Sequence, residues 1–530
     1  MNTGKFILLL IVFTVCTFRT AFSQSYPAFS VTAYDSASEG YYFIIPVKTA
    51  SSNAPVHMIV DSVGHVVYYK ILNATNSGDF RLQPNGLMSY SMANKFYFMD
   101  STFTIVDSVR CQNGITTDTH DMRMLPNGNF LMLGYEYVTM DLSMYNYFGV
   151  THNLPGDANA NVRCAVIQEL DPNDNVVFEW HSADHFAFSD VDPKFLNSPS
   201  NVDWTHSNSL EVDYDGNILM SSRHFDEITK ISRTDSSVIW RFGGNANQFT
   251  SNDPAFFIGQ HDARRIANGH ITVNDNGRAN PLHYASSKEY QLDENLHTAN
   301  LVWSYIEDST SHSVALGNAQ RLANGNTVVD YGNTPNKSNM FKVVDPAGNK
   351  LFELTFADTL RSYRAYNFHL PWTLDRPKID CYMVSSQLYL DAGAGHSSYS
   401  WSTGDTTQVI PVSAAGTIHV FVADGHGGFI SSEYLVIADP ISFCNTLGIQ
   451  NSSSENNFAI NPNPVSDELH IELTAETHEL FIQLFDATGK CILSKQENNR
   501  GQELILPVQH LPAGVYFLMI NGSGKKFVKQ

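Results

Sequence analysis

Three histidines occupy comparable places in this chain of 530 residues. His120 lies seven residues before Asn127-Gly128, His261 seven before Asn268-Gly269, and His206 nine before Asp215-Gly216. Their contexts are Thr119-His120-Asp121, Thr205-His206-Ser207-Asn208 and Gln260-His261-Asp262. Neutral imidazole is a nucleophile near pH 7, because its reference pKa is about 6.5. A second imidazole can protonate a leaving group and later take the proton back. Arg223 follows the apolar run from Ile218, one hairpin strand after His206. Its guanidinium offers a planar fork for sulfate or phosphate oxygens, and an anionic substrate in a chain of net charge −21 needs such a local cation. The same histidines could instead make hydrogen bonds between repeats. They could also bind zinc, with Asp121 or Asp262 adding a ligand. The matching positions elsewhere are Gly78 and Gly317, so the repeat itself does not require histidine.

The elements that would position these residues recur along the chain. One phrase appears as Arg81-Leu-Gln-Pro-Asn85-Gly86, Arg123-Met-Leu-Pro-Asn127-Gly128, Val212-Asp-Tyr-Asp215-Gly216, Arg265-Ile-Ala-Asn268-Gly269 and Arg321-Leu-Ala-Asn324-Gly325. Asn-Gly between apolar runs predicts a hairpin with a type I′ turn. A second unit, strand–polar turn–strand, appears six times, from Ile59–Tyr69 to Lys342–Phe352. Two hairpins per period of about 40–55 residues is the period of a β-propeller blade. The pattern predicts six blades over about residues 30–375. The segment Ser362–Trp372 is expected to close the ring with a strand near Tyr41–Pro46.

Composition agrees with an exported β protein. Hydrophobic residues make up 43% and aromatics 12%, enough for buried cores and unlike a disordered chain. Lys+Arg number 32 against 53 Asp+Glu, which argues against nucleic acid as a partner. The apolar run Phe6–Phe13 after Lys5, with Ala21 and Ser23 beyond it, predicts a signal peptide over 1–23. No other stretch could span a membrane. Beyond Cys16 there are five cysteines. Cys381 and Cys444 bracket one candidate domain and could staple it, and Cys111–Cys164 is a second possible pair. There is no phosphate-binding GxxxxGK[ST], no GxGxxG after a strand, no HExxH and no GxSxG.

The predicted organisation is all-β. A signal peptide (1–23) precedes a six-bladed β-propeller (24–377). A small Ig-like β-sandwich (378–440), a linker (441–457) and a C-terminal β unit (458–530) follow.

The run from Thr205-His206-Ser-Asn208 to Ser222-Arg223 resembles the arylsulfate sulfotransferase family. So do Trp240-Arg-Phe-Gly-Gly244, Gly259-Gln260-His261-Asp262 and Val273-Asn-Asp-Asn276-Gly277. The resemblance covers about residues 30–375 and implies a six-bladed propeller. It implies transfer of a sulfuryl group from an aryl sulfate to a phenolic acceptor, with no cofactor and no nucleotide sulfate donor. His261 matches the family's nucleophile and would carry a transient sulfohistidine. His120, His206 and Arg223 match its other catalytic positions, with Asn208 a further substrate contact. The family's N-terminal β-sandwich extension has no counterpart here.

The last module, with Asn461-Pro-Asn-Pro464, Asp486-Ala-Thr-Gly-Lys490 and Leu511-Pro-Ala-Gly-Val-Tyr516, resembles the C-terminal sorting domain of the type IX secretion system of Bacteroidetes. It implies export to the cell surface or beyond, with the secretion machinery as a partner. The segment at 381–440 resembles the Ig-like spacers of such proteins. Two other functions fit the residues alone: a non-catalytic surface propeller binding glycan or protein, and a metal-dependent hydrolase or lyase using the same histidines.

Overall fold

The computed structural model describes residues 26–33, 40–48, 54–148, 153–277, 284–306, 312–334, 341–357, 360–444, 458–473, 479–486, 491–498, 503–520 and 523–530. The signal-peptide segment 1–23 and most of the linker, 445–457, lie outside the described residues. The described chain is all-β, with short single-turn helices between strands. It divides into two units. The first holds residues up to Asp380 together with 391–410 and 417–436, and the second holds 381–390, 411–416 and 437–530.

In the first unit, the strands between Phe29 and Phe368 form six sheets among the described residues, each built around four antiparallel strands, with Asn201–Asp203 and Thr250–Ser251 added in parallel to two of them. Their first strands are Gly78–Leu82, Thr116–Met124, Ser207–Val212, His261–Arg265, Asn318–Arg321 and Leu360–Phe368. These six strands touch in that order, and Leu360–Phe368 also touches Gly78–Leu82. Side chains tie neighbours together. Asp121 accepts from the Leu210 amide at 2.8 Å, Asn208 donates to the Gln260 carbonyl at 2.8 Å, and Asn318 donates to the Ala365 carbonyl at 2.8 Å. The spaces between sheets are filled by apolar clusters. One contains Leu131, Val162, Trp180, Trp204 and Leu210; the next contains Ile228, Trp240, Phe242 and Val273.

The expected pairing of distant segments is present. Tyr41 pairs with Phe368 and Pro46 with Ser362, while Phe29–Ala33 pairs with the strand Lys350–Phe356. The Asn-Gly turns differ from the expected type I′. Only the glycine takes a left-handed φ, for instance +84° at Gly86 and +87° at Gly128, and neither Asn85 nor Asn127 does. The Gln83 amide donates to the Leu87 carbonyl and the Gly86 amide to the Gln83 carbonyl, which is a type I turn followed by a left-handed residue. The cause is the asparagine side chain. Asn85 Oδ1 accepts from the Leu87 amide at 3.1 Å, a local bond that competes with positive φ at the asparagine itself.

Strand Gly428–Ser431 pairs with Val66–Ile71, so this part of the segment read as an Ig-like spacer extends a sheet of the first unit. Cys111 and Cys164 do not pair. They face different cores, Cys111 beside Phe96 and Phe130, Cys164 beside Val162 and Trp180. In the second unit a disulfide joins Cys381 to Cys444. Here Phe458–Asn461, Glu468–Leu473 and Glu503–Pro507 form one sheet, and Glu479–Asp486, Cys491–Asn498, Gly514–Ile520 and Ser523–Lys529 form another. Leu469 and Ile471 of the first share a core with Ile482 and Leu518 of the second.

The inner strands of the first unit also carry charge inward. Asp79, Asp121 and Asp262 meet Arg81, Arg264 and Arg364, and all six are buried. Arg81 bonds Asp79 at 2.5 Å and approaches Asp121 at 3.2 Å. Arg264 contacts Asp121 at 2.9 Å and Asp262 at 2.5 Å. Arg364 contacts Asp79 at 2.7 Å and Asp262 at 3.2 Å. Asp121 is held well below the usual carboxylate range: burial alone would raise it, and Arg264, Arg81 and Arg364 outweigh that. Three charges of each sign cancel, so removing one leaves a buried surplus. Asp121→Asn keeps shape and removes charge; we expect it to cost about 3–5 kcal/mol. All six tryptophans lie in the first unit, so urea unfolding followed by tryptophan fluorescence reads this directly. A loss below about 1 kcal/mol would show that the layer is not a stabilising lock.

Candidate active site

Each of the three histidines sits where an inner strand departs from regular pairing. The register between Thr116–Met124 and its neighbour shifts between Met132 and Gly134, the stretch opposite His120. It shifts again between Ser207 and Ser209, beside His206, and between His261 and Arg264. His206 and Asp262 have φ of +46° and +58°. Bulges re-aim side chains, and here they gather three rings from three strands. The His120 ring centroid lies 5.2 Å from that of His206 and 6.1 Å from that of His261.

Two of the rings are backed by carboxylates. His120 Nδ1 lies 2.5 Å from Asp118 Oδ1, and Arg163 donates to Asp118 Oδ2 at 2.7 Å. Burial alone would raise Asp118, but bonding to His120 and the charge of Arg163 bring it down to about 2. His206 Nδ1 lies 2.5 Å from Asp203 Oδ2. Burial lowers the His206 pKa, and the partial rescue by Asp203 does not restore it. A carboxylate at Nδ1 fixes the tautomer and leaves Nε2 to face the reaction.

His261 is different. It is 1% exposed, and its Nδ1–H donates to the Gly317 carbonyl at 2.7 Å. A carbonyl only accepts, so the neutral ring carries its proton on Nδ1. Nε2 is then a lone pair, buried and without a hydrogen-bond partner. Burial, the charge of Arg364 and His120 hold its pKa well below the ordinary value. Gly317 allows this contact because of its backbone: its φ is +88°, and a Cβ there would meet the Asp330 carbonyl oxygen at 2.2 Å. His261 therefore makes the inter-repeat hydrogen bond with one nitrogen and keeps the other available.

Arg223 opens a single-turn helix, Arg223–Phe225. Its amide donates to the His206 carbonyl at 3.1 Å, and its guanidinium donates to the Val314 carbonyl at 2.9 Å and stacks over Phe195 at 5.0 Å. Asn208 is fully buried. Besides the Gln260 bond, its Oδ1 accepts from the Asp262 amide at 3.4 Å, so its carboxamide grips the backbone on both sides of His261. Asp121 and Asp262, which the sequence offered as further metal ligands, have their carboxylates turned into the arginine layer. Among the described residues, Asp203, His206 and His224 are a group that could hold a metal, with ligand atoms within 4.8 Å. Of these, His224 Nδ1 is engaged with the Asp203 carbonyl at 2.7 Å.

A cavity of 260 Å³ opens beside His120 and Tyr363, with Asn76, Ser77, Thr119 and Arg361 on its wall. Sequence reading missed Asp118, Asp203, His224, Tyr363 and Arg364. Tyr363 stands between the histidines, 5.6 Å from the His261 ring, and donates to the His120 carbonyl at 2.6 Å. The recurring Asp-x-Arg of 79–81, 121–123 and 262–264 was the available signal for the ionic layer. For Asp118 and Asp203 the available signal was their place two and three residues before His120 and His206.

The chain belongs to the arylsulfotransferase family, whose profile matches residues 30–367. A secretion-system C-terminal sorting domain occupies residues 459–530 and indicates export to the cell surface or beyond. No helix of the described residues is long and apolar enough to cross a membrane. No curated protein matches the chain. Similar solved structures include a Bacteroides caccae protein of unknown function, at 12% identity and TM-score 0.39, covering 62% of this chain and 98% of its own. Others are a periplasmic gluconolactonase of Pseudomonas aeruginosa (11% identity, TM-score 0.35, 76% and 97% covered) and a virginiamycin B lyase of Staphylococcus aureus (9%, 0.31, 68% and 95%).

The environment of His261 makes a spectroscopic prediction. In ¹⁵N-histidine NMR spectra its ring should remain the neutral Nδ1–H tautomer at about pH 6, where an ordinary imidazole is mostly charged. A midpoint at or above about 6.5 would contradict the site described here. Gly317→Ala should move the carbonyl and change this tautomer pattern, while His270, which bonds Glu289 at 2.7 Å, keeps its signal.

Proposed function

We propose that the protein is an exported, nucleotide-independent aryl-sulfate sulfotransferase on a six-bladed β-propeller, working through a sulfohistidine at His261. The blade reading is supported by the six inner strands that touch in order, with the last against the first. The single observation that carries the mechanism is the unpartnered, buried Nε2 of a histidine whose Nδ1–H is committed to a carbonyl. That atom attacks sulfur, the bond from sulfur to the phenolic oxygen breaks, and the departing oxygen takes a proton. His120 supplies it: the residue borders the cavity, and Asp118 holds its Nδ1. In the second half the acceptor phenol returns a proton to His120, its oxygen attacks sulfur, and His261 is released. His206 and Arg223 hold the sulfuryl oxygens, whose charge grows in transit. Asn208 acts as a positioning residue through the Gln260 and Asp262 backbone. Residues 1–23 serve as a cleaved signal peptide, and the sorting domain hands the chain to the type IX machinery.

The test uses mature protein, 4-nitrophenyl sulfate and phenol. Nitrophenol release should rise with phenol and survive chelator. His261→Ala should lose at least about 10³-fold in rate. A peptide containing His261 should gain one SO₃ when acceptor is withheld. His120→Gln should lose about 10²-fold or more with phenyl sulfate and much less with 4-nitrophenyl sulfate, whose leaving group needs little protonation. Abolition by chelator would favour metal chemistry at Asp203, His206 and His224. No release across a panel of aryl sulfates would favour a binding propeller.

A further inference from the structure

A second cavity, of 510 Å³, lies at the other ends of the same inner strands. Gly78, Thr119, His120 and Tyr363 line the histidine cavity. Arg81, Arg123, Glu211, Arg264, Arg321 and Phe368, one from each inner strand, line this one. None of the three site histidines borders it. The ionic layer is shared with its wall, through Arg81, Arg264 and Asp262. Four arginines reach it, each already facing a carboxylate: Arg81 faces Asp79, Arg123 Glu211, Arg264 Asp121 and Asp262, and Arg321 Glu289, so the wall offers an anion their unused N–H groups rather than a net charge.

The donors there are not exhausted by internal pairing. Arg81 is 3% exposed, and its Nε and Nη2 are bonded to Asp79; its Nη1 makes no hydrogen bond among the described residues. Arg123 is paired only through Nη2, to Glu211 at 3.2 Å. Apolar surface completes the wall, from Leu82, Met124, Phe368 and Pro371. The volume falls in the range of about 300–1,000 Å³ that accommodates drug-sized ligands and far exceeds one small inorganic ion. Arg81 and Arg123 each open a recurring Arg-x-x-x-Asn-Gly phrase and Arg321 an Arg-x-x-Asn-Gly one, a feature that the histidine chemistry leaves unused.

We propose that this cavity is a second binding site, for an amphipathic organic anion: an aromatic or aliphatic body carrying one sulfonate, sulfate or carboxylate. Arg81 and Arg123 receive the anionic head, and the apolar wall receives the body. The site stands apart from the sulfuryl-transfer reading, since none of its residues takes part in that reaction.

The probe is 2-naphthalenesulfonate, whose carbon–sulfur bond leaves no sulfuryl group to transfer, titrated calorimetrically into the full mature chain and into His261→Ala. Both should bind it. Arg123→Glu, at a side chain 31% exposed, should weaken binding by about tenfold or more. Arg123→Lys should stay within about threefold. Met124→Trp, which fills the cavity while keeping the charges, should weaken it similarly to Arg123→Glu. 2-Naphthol should bind at least about tenfold more weakly than the sulfonate. Unchanged affinity in both Arg123→Glu and Met124→Trp overturns the proposal. So does no binding by the wild type, or binding lost in Tyr363→Ala and kept in both cavity variants. Equal binding of 2-naphthol overturns its anionic half.

Discussion

Four of the six inner strands of the first unit must reconcile their paths with six buried charges. Asp79, Asp121 and Asp262 would be prohibitively costly to desolvate alone, and so would Arg81, Arg264 and Arg364. Together they satisfy one another across strands distant in sequence: Arg364 reaches Asp79, and Arg264 reaches Asp121. The bulged backbone follows from this. Asp79 and Asp262 take left-handed φ and so present a carboxylate to the arginine two residues on. The histidine at 261 inherits its orientation from the same local geometry.

The layer also sets the chemistry above it. Arg364 is the charge nearest in effect to His261 after burial itself, and it keeps that imidazole neutral. Tyr363, the preceding residue, is held as a protonated phenol by burial. The site therefore has one neutral, buried imidazole beside another that keeps a carboxylate partner. Two identical side chains have different surroundings, with a carbonyl at Nδ1 of one and a carboxylate at Nδ1 of the other.

Much of this was legible beforehand. The repeat spacing carried the three histidines, and periodic apolar runs carried the strands. The strand Ile218–Ser222, returning from the hairpin that begins at His206, brings Arg223 back beside it, as its place in the sequence suggested. What escaped at the two carboxylates is a matter of backbone conformation. Asp118 and Asp203 stand only two and three residues before their histidines, but the bulged backbone that turns them to the Nδ1 atoms leaves hydrophobic alternation nearly intact. The Asn-Gly turns depart from the type I′ expected of the dipeptide because the Asn side-chain bond to the amide two residues on competes with positive φ at the asparagine. Strand Gly428–Ser431 joins Val66–Ile71 across more than three hundred residues, which local propensity cannot foresee.

The pairing of Tyr41–Lys48 with Leu360–Phe368, and of Phe29–Ala33 with Lys350–Phe356, has a temporal meaning. Phe29–Ala33 finds its partner, and Tyr41–Lys48 its second partner after Val56–Asp61, in strands made more than three hundred residues later. Such long-range closure is slow to nucleate. A chain emerging from a membrane pore amino end first carries unpaired strand edges until nearly the whole unit has passed through. For a secreted protein this postpones compaction until transit is well advanced, so the order of its own strands helps keep the polypeptide threadable.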